Sequence, residues 1–376
     1  MCKTSSVNST LPPRPKALGS LRHVFTSALS AVTGERSALG LKPKRKVLVL
    51  LVDGMGAENV LARAGHAPWL AREITAGGTA FAAFPATTSS NIAGFATGLM
   101  PGQHGFIGHV VQDRAFSQRL NLLNGWNEQT DAALWQPNQT VSELASDRGV
   151  TCNVIAAEEY RSTGFTQATM RKAKFHGVDD LRERFDKAVE ILEQPEDSIS
   201  YLYVPELDKY GHVNGWESPG WALQLEGLAA EIDRLVKLLP KDAGLIITAD
   251  HGMIDSLEDQ KIELSETLDT LGLDFFGGDT RTSLVYLKDR DSAAEARRAL
   301  GESRFFSTYT PQELSGWYGD FGPQALERLP ELVLIAKADF TLYHQGFSKP
   351  KSYRMLAHHG AMSSAELKIP LIRVGV

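Results

Sequence analysis

Three apolar runs in this chain lead into aspartates. Lys46-Val-Leu-Val-Leu-Leu-Val52 precedes Asp53, residues 199–205 precede Glu206-Leu-Asp208, and Gly244-Leu-Ile-Ile-Thr-Ala249 precedes Asp250. Runs without polar alternation predict strands covered on both faces, as in a parallel sheet between helix layers. Further strands are predicted at 79–84, 152–156 and 369–374. Helices are expected at 179–194 and 221–239, the latter with Leu225, Leu228, Ile232, Leu235 and Leu239 on one face. Strands alternating with helices imply βαβ units, so the expected fold is α/β with a mainly parallel sheet. In such sheets ligands bind at the carboxyl ends of the strands, where the aspartates stand.

The 376 residues suffice for a large core, and 43% hydrophobic with 22% charged residues is ordinary globular composition. Cys2 and Cys152 are the only cysteines, which excludes a disulfide framework and a cysteine-rich metal site. A net charge of -6 argues against a general nucleic-acid coat, and no nucleic-acid motif is found. No run reaches the length of a spanning helix and no apolar signal segment is found near the start, so a cytoplasmic protein is expected.

Residues 1–45 read as an extension, disordered over 5–15, with an amphipathic helix at 18–32 that turns Leu21, Val24, Leu29 and Val32 inward. Residues 46–376 read as one catalytic domain. Within it a small α+β cap is expected at about 258–348, with strands at 283–287 and 331–336, a helix at 292–300 and a capping box at Thr310-Pro-Gln-Glu313. Asp279 and Arg281, in a Gly-Gly-Asp-Thr-Arg turn, read first as a structural ion pair, with a ligand role as the alternative.

The chemistry concentrates in five places. Phe84-Pro-Ala-Thr-Thr-Ser-Ser-Asn91 puts five hydroxyl or amide side chains where a strand passes into a helix of small residues. A helix start has unpaired N–H groups and a positive dipole end, which suits a phosphate; it also suits simple N-capping. Asp53-Gly-Met-Gly56 ends the first strand and is read either as a ligand or as a cap for the next helix. Asp208 and His212 are four apart and can meet on one helical face to hold a metal. Asp250-His251-Gly and His359-Gly repeat the pairing of a ligand-type residue with glycine. Capping alone rarely needs histidine. The Gly-x-x-x-x-Gly-Lys-Ser/Thr phosphate loop is absent.

Taken in order, Asp53, the Thr88 turn, Asp208-x-x-Gly-His212, Asp250-His251-Gly and His359-Gly resemble the alkaline phosphatase superfamily, and within it the nucleotide pyrophosphatase/phosphodiesterase branch. The likeness runs from about residue 46 to the C-terminus. It implies that Asp208, His212 and His359 hold one divalent metal ion and that Asp53, Asp250 and His251 hold another. It implies Thr88 as nucleophile, with Thr87 as the alternative, and places Asn91 and His109 at the substrate. Where the family has asparagine five residues after the histidine of the following loop, here His104, this chain has His109.

Histidine and carboxylate ligands without thiolates suit Zn²⁺, with Mn²⁺ as the alternative. The expected function is two-metal hydrolysis of a phosphodiester or nucleotide pyrophosphate through a phosphothreonine. One metal would activate Thr88 and the other would neutralise the leaving oxygen. The expected partner is a small phosphorylated substrate such as a nucleotide. The alternatives are a phosphomonoesterase, a phosphonoacetate-type hydrolase, or a non-catalytic metal-binding relative. A sulfatase is disfavoured, because Thr88 lacks the Cys/Ser-x-Pro-x-Arg context.

Overall fold

Seven consecutive buried residues, Lys46–Val52, form the middle strand of a seven-stranded sheet. A computed structural model describes residue 11 and residues 19–376 of the chain. The strand order is Thr79–Phe81, Lys368–Val374, Ala243–Thr248, Lys46–Val52, Ser198–Val204, Thr151–Ala156 and Lys174–Gly177. The last five run parallel, and Lys368–Val374 is antiparallel to both of its neighbours. The architecture is the expected α/β sheet flanked by helices. Each fully buried Leu or Val in these strands contributes roughly 1.5–3 kcal/mol relative to exposure.

Register decides where the chemistry lies. Lys46 pairs with Ser198 and Ala243, and Val52 with Val204, so the three central strands end level with one another. Asp53, Asp250 and the helix bearing Asp208 therefore emerge at one edge of the sheet.

Helix Leu181–Glu193 packs on strands Lys46–Val52, Ser198–Val204 and Thr151–Ala156 and against Pro219–Leu238. The expected helix near the N-terminus is a 3₁₀ turn at Leu21–His23 followed by Val24–Thr33. Leu21, Val24 and Leu29 are buried as expected, while Val32 is only half-buried. Phe25 instead supplies the main contact, stacking on Phe95 at 4.5 Å. The disorder expected at 5–15 falls, residue 11 apart, outside the described residues.

A second sheet of six antiparallel strands is ordered Phe306–Tyr309, Leu332–Ala336, Thr282–Leu287, Leu273–Gly278, Val110–Asp113 and Gln118–Asn121. Four strands come from the segment expected to form a cap, and two come from residues just after His109. Gly278 pairs with Val110 across this junction.

A buried ion pair links the second sheet to the edge of the first. Arg281 donates to both oxygens of Glu366, at 3.2 and 3.0 Å. Arg281 was expected to pair with Asp279. The Asp279 Oδ1 is instead taken by the backbone N–H groups of Arg281 and Thr282, which close the turn. Among the described residues no helix is long and apolar enough to cross a membrane.

Candidate active site

At the carboxyl edge of the central strands six side chains converge in two groups of three, Asp53/Asp250/His251 and Asp208/His212/His359. Within each group one ligand-type atom per residue lies within 4.8 Å of the others. These are the six residues that the sequence selects as metal ligands.

Local backbone chemistry brings them together. Asp53 N–H donates to Val204 O, fixing the first aspartate against the neighbouring strand. Gly54 has φ +70°, and a Cβ there would stand 3.1 Å from the Asp208 Cβ. Gly56 and Gly252 meet where a Cβ on Gly56 would lie 2.6 Å from the Gly252 Cα. The two strand-end loops can therefore touch only as glycines. Asp208 and His212 share a face of helix Glu206–Asn214, with His212 Nε2 3.2 Å from Asp208 Oδ2.

All three histidines are held alike. His212 Nδ1 lies 2.8 Å from Ala357 O, His359 Nδ1 2.9 Å from Ala86 O, and His251 Nδ1 3.2 Å from Gly252 O. A carbonyl can only accept, so each Nδ1 carries a hydrogen and each Nε2 faces the centre, able to offer a lone pair there when it is unprotonated. This orientation is what metal-binding imidazoles require. Asp53 Oδ1, Asp208 Oδ1 and Asp250 Oδ2 are buried without a hydrogen-bond partner. Buried carboxylate oxygens are seldom left so, and a cation would satisfy all three. The residues fit two divalent metal ions.

Electrostatics agree. Burial, then the charges of Asp250 and Asp208, push the Asp53 carboxyl well above its usual range. Burial also raises Asp250. Burial alone would raise Asp208, but the His212 charge beside it reverses the direction and holds it low. His212 rises because the Asp208 attraction outweighs burial. His359 is driven well below its usual value by burial and then by His251. Tyr203 Oη donates to Asp53 Oδ2 at 2.5 Å, the one direct hydrogen bond supporting that carboxylate's second oxygen.

Thr88 opens the buried helix Thr88–Thr97, its Oγ 3.1 Å from His251 Nε2. The neighbouring hydroxyls are engaged elsewhere: Ser89 donates to Gly108 O at 2.9 Å and Ser90 to Phe106 O at 2.7 Å. Thr87 is fully buried and does not line the cavity, whereas Thr88 does.

Asn91, expected at the substrate, is a correction. Its Oδ1 accepts from Ala83 N at 2.6 Å and its Nδ2 donates to the carbonyls of Ala83, Pro85 and Thr87. The amide is wholly occupied in bracing the turn before Thr88.

His109 does line the cavity, at the mouth of the second sheet. Asn121 Oδ1 accepts from the Leu123 and Asn124 N–H groups, so its Nδ2 faces and donates to His109 Nε2 at 2.9 Å. The His109 hydrogen therefore sits on Nδ1. Burial, then the His212 charge, lowers its pKa to about 4, so it is a neutral donor near pH 7.

Sequence reasoning missed Tyr203 and Asn121. Tyr203 reads as a strand residue, and Asn121 lies in a segment without periodicity. Asp279 lines the cavity with a buried unpartnered Oδ2, and burial pushes its carboxyl up to about 7.

Asp53, Thr88, Asp208, His212 and His359 line a cavity of about 970 Å³, while Asp250 and His251 are fully buried and do not reach its wall. Its walls divide in character: Tyr160, Phe165, Phe175 and Tyr203 form an aromatic flank, while Arg119, Lys349, Lys351 and Arg354 supply positive charge.

Comparison with known proteins identifies the family and the fold. Residues 47–362 match the model of a family described as type I phosphodiesterase / nucleotide pyrophosphatase. Among similar solved structures is murine ectonucleotide pyrophosphatase/phosphodiesterase 5, with TM-score 0.67, 18% identity and 87% of each chain covered. An inactive form of that protein in complex with AMP gives TM-score 0.66 at 18% identity, over 87% of each chain. The human counterpart gives TM-score 0.66 at 17% identity, again over 87% of each chain. The fold is thus the alkaline phosphatase-like one expected from the motifs. This chain belongs to the type I phosphodiesterase / nucleotide pyrophosphatase family and is a hydrolase of phosphoester bonds.

Proposed function

We propose that the chain hydrolyses phosphodiester or nucleotide pyrophosphate bonds with two divalent metal ions and Thr88 as nucleophile. The observation that carries this reading is the common tautomer of His212, His251 and His359, with three orphaned carboxylate oxygens facing the same centre. Asp208, His212 and His359 would hold one ion, and Asp53, Asp250 and His251 the other. The imidazole and carboxylate donors suit Zn²⁺ first and Mn²⁺ second. Two such ions supply Lewis-acid stabilisation at the attacking and leaving oxygens of an in-line displacement.

This chain's own groups do the rest. Thr88 Oγ gives up its proton and forms the new P–O bond as the bond to the leaving oxygen breaks, the net proton going to the leaving group. Water then cleaves the phosphothreonine and returns a proton to the hydroxyl. The first-turn N–H groups of helix Thr88–Thr97, which lack intrahelical partners as at any helix start and receive no side-chain cap from Thr87, would stabilise the charge that accumulates on the phosphoryl oxygens. His109, oriented by Asn121, presents its Nδ1–H to a phosphoryl oxygen where the wider family offers an asparagine amide. Asn91 holds the turn that aims Thr88. The aromatic flank of Tyr160, Phe165 and Tyr203 suits the base of a nucleotide, in line with the AMP bound by the murine relative.

The test is hydrolysis of bis-(p-nitrophenyl) phosphate, p-nitrophenyl phosphate and phosphonoacetate by the wild-type chain and by Thr88→Ala. The reading expects the diester to be preferred and Thr88→Ala to lose turnover while keeping its metal. Preference for the monoester or the phosphonate would move the chain to another activity within the superfamily. Full activity in Thr88→Ala would remove the nucleophile assignment.

A further inference from the structure

We propose that Asp279 sets the preference for a phosphodiester over a phosphomonoester: its carboxylate stands uncompensated in the wall around the phosphoryl position and repels the second charge of a monoester dianion. This rests on the phosphodiester reading above and deepens it by naming the group that excludes the rival substrate.

The carboxylate is built into the turn that joins strands Leu273–Gly278 and Thr282–Leu287. Its Oδ1 accepts from the N–H groups of Arg281 and Thr282, at 3.1 and 3.2 Å, which pins the side chain. Oδ2 is buried, lacks a hydrogen-bond partner and belongs to a residue of the cavity wall. Among the described residues no cation pairs with it. Arg281, two residues on, is committed to Glu366 and to Phe340 O.

The turn touches the backbone beside each of the three groups that frame the phosphoryl position, Thr88, His109 and His359. Next to His359, Gly360 has φ +133°, and a Cβ there would stand 2.1 Å from Asp279 Oδ1 and 2.8 Å from Oδ2. Gly360 O accepts from Ala86 N at 3.1 Å and from Thr282 Oγ at 2.8 Å, which ties the turn to the segment that leads into Thr88. Next to His109, Val110 pairs with Gly278. Thr88, His109, Asp279 and His359 all line the one cavity.

A diester carries one charge on its two free oxygens, and a monoester dianion carries two charges on three. A fixed carboxylate beside those oxygens costs the dianion more, and burial keeps solvent from screening it. Burial raises the carboxyl to about 7, so its charged form is already costly before a second anion approaches. Specificity through an unfavourable contact with the wrong ligand needs no added attraction for the right one.

The experiment uses the full metal-loaded chain at about pH 8.5, where the carboxylate and the monoester are both ionised. Wild type is compared with Asp279→Asn, which keeps the shape and the acceptor to the turn but loses the charge. Asp279→Ser, which can also accept from the turn, covers a failure of the first variant to fold. The ratio of kcat/KM for p-nitrophenyl phosphate to that for bis-(p-nitrophenyl) phosphate should rise at least about tenfold in the variant. By calorimetry, binding of inorganic phosphate should tighten at least about tenfold more than binding of dimethyl phosphate.

A purely structural role would lower both activities together. A ratio that does not move, or two phosphates whose binding shifts in step, would therefore overturn the assignment. If the wild type prefers the monoester or cleaves neither ester, the phosphodiester reading fails, and the two binding measurements still decide whether Asp279 repels the second charge.

Discussion

The rings of His251 and His359 lie face to face, with centroids 3.7 Å apart and planes 14° from parallel. They belong to different ligand groups, so the two candidate metal sites share a wall of two imidazoles. Each ring is fixed by its own carbonyl, Gly252 or Ala86, so loss of one leaves the other oriented. His359→Ala should therefore lose about one of two bound metal equivalents while diesterase activity falls at least about 100-fold. Elemental analysis alongside turnover would check this.

Asp53 and Asp250 repel each other in a buried space, and Asp208 adds to the strain on both. A bound cation removes that repulsion and stabilises the folded state by mass action. Chelation should lower the melting temperature. In metal-free protein Asp250→Asn should melt about 2 °C or more above the wild type, because a buried like charge has gone. With metal present the order should reverse. Scanning calorimetry of both proteins in both conditions gives the comparison.

The Arg281–Glu366 pair joins the second sheet to the loop after His359, and Glu366 also accepts from Ala361 N at 2.8 Å. Removing one partner leaves a buried charge unmatched. Arg281→Met should cost about 3–5 kcal/mol, and Arg281→Met/Glu366→Leu much less than Glu366→Leu and Arg281→Met summed. Urea denaturation of the four proteins would show whether the pair is coupled in this way.

His104 is buried, and its Nδ1 accepts from Phe106 N at 3.2 Å. Burial lowers its pKa from 6.5 to about 3. The unfolded chain takes a proton there below about pH 6.5 and the folded chain does not, so stability is complete above that pH and declines as pH falls towards 3. The decline is about 1.4 kcal/mol per pH unit from this one residue. His104→Gln should flatten the dependence of denaturation midpoint on pH across this window, whatever it does to stability at neutral pH.

What could be read from the sequence followed from the range of the interactions involved. The strands Lys46–Val52, Ser198–Val204 and Ala243–Thr248 are visible as apolar runs because burial on both faces leaves no polar position. Their endings expose Asp53, Asp208 and Asp250 for the same reason. The second sheet is less visible. Pairing of Gly278 with Val110 spans more than half the core sequence, and nothing local to 110–121 announces it. Asn91 misled because an amide beside a nucleophile looks the same in sequence whether it faces a ligand or a carbonyl. Tyr203 and Asn121 act through neighbours brought near only by folding.

The measurement that tests the account most directly is metal content per chain on protein purified without chelator, paired with hydrolysis of bis-(p-nitrophenyl) phosphate before and after chelation. The account predicts two equivalents of zinc or manganese, with activity that chelation removes and added metal restores. Protein that holds no metal and stays inactive when zinc or manganese is supplied would contradict it.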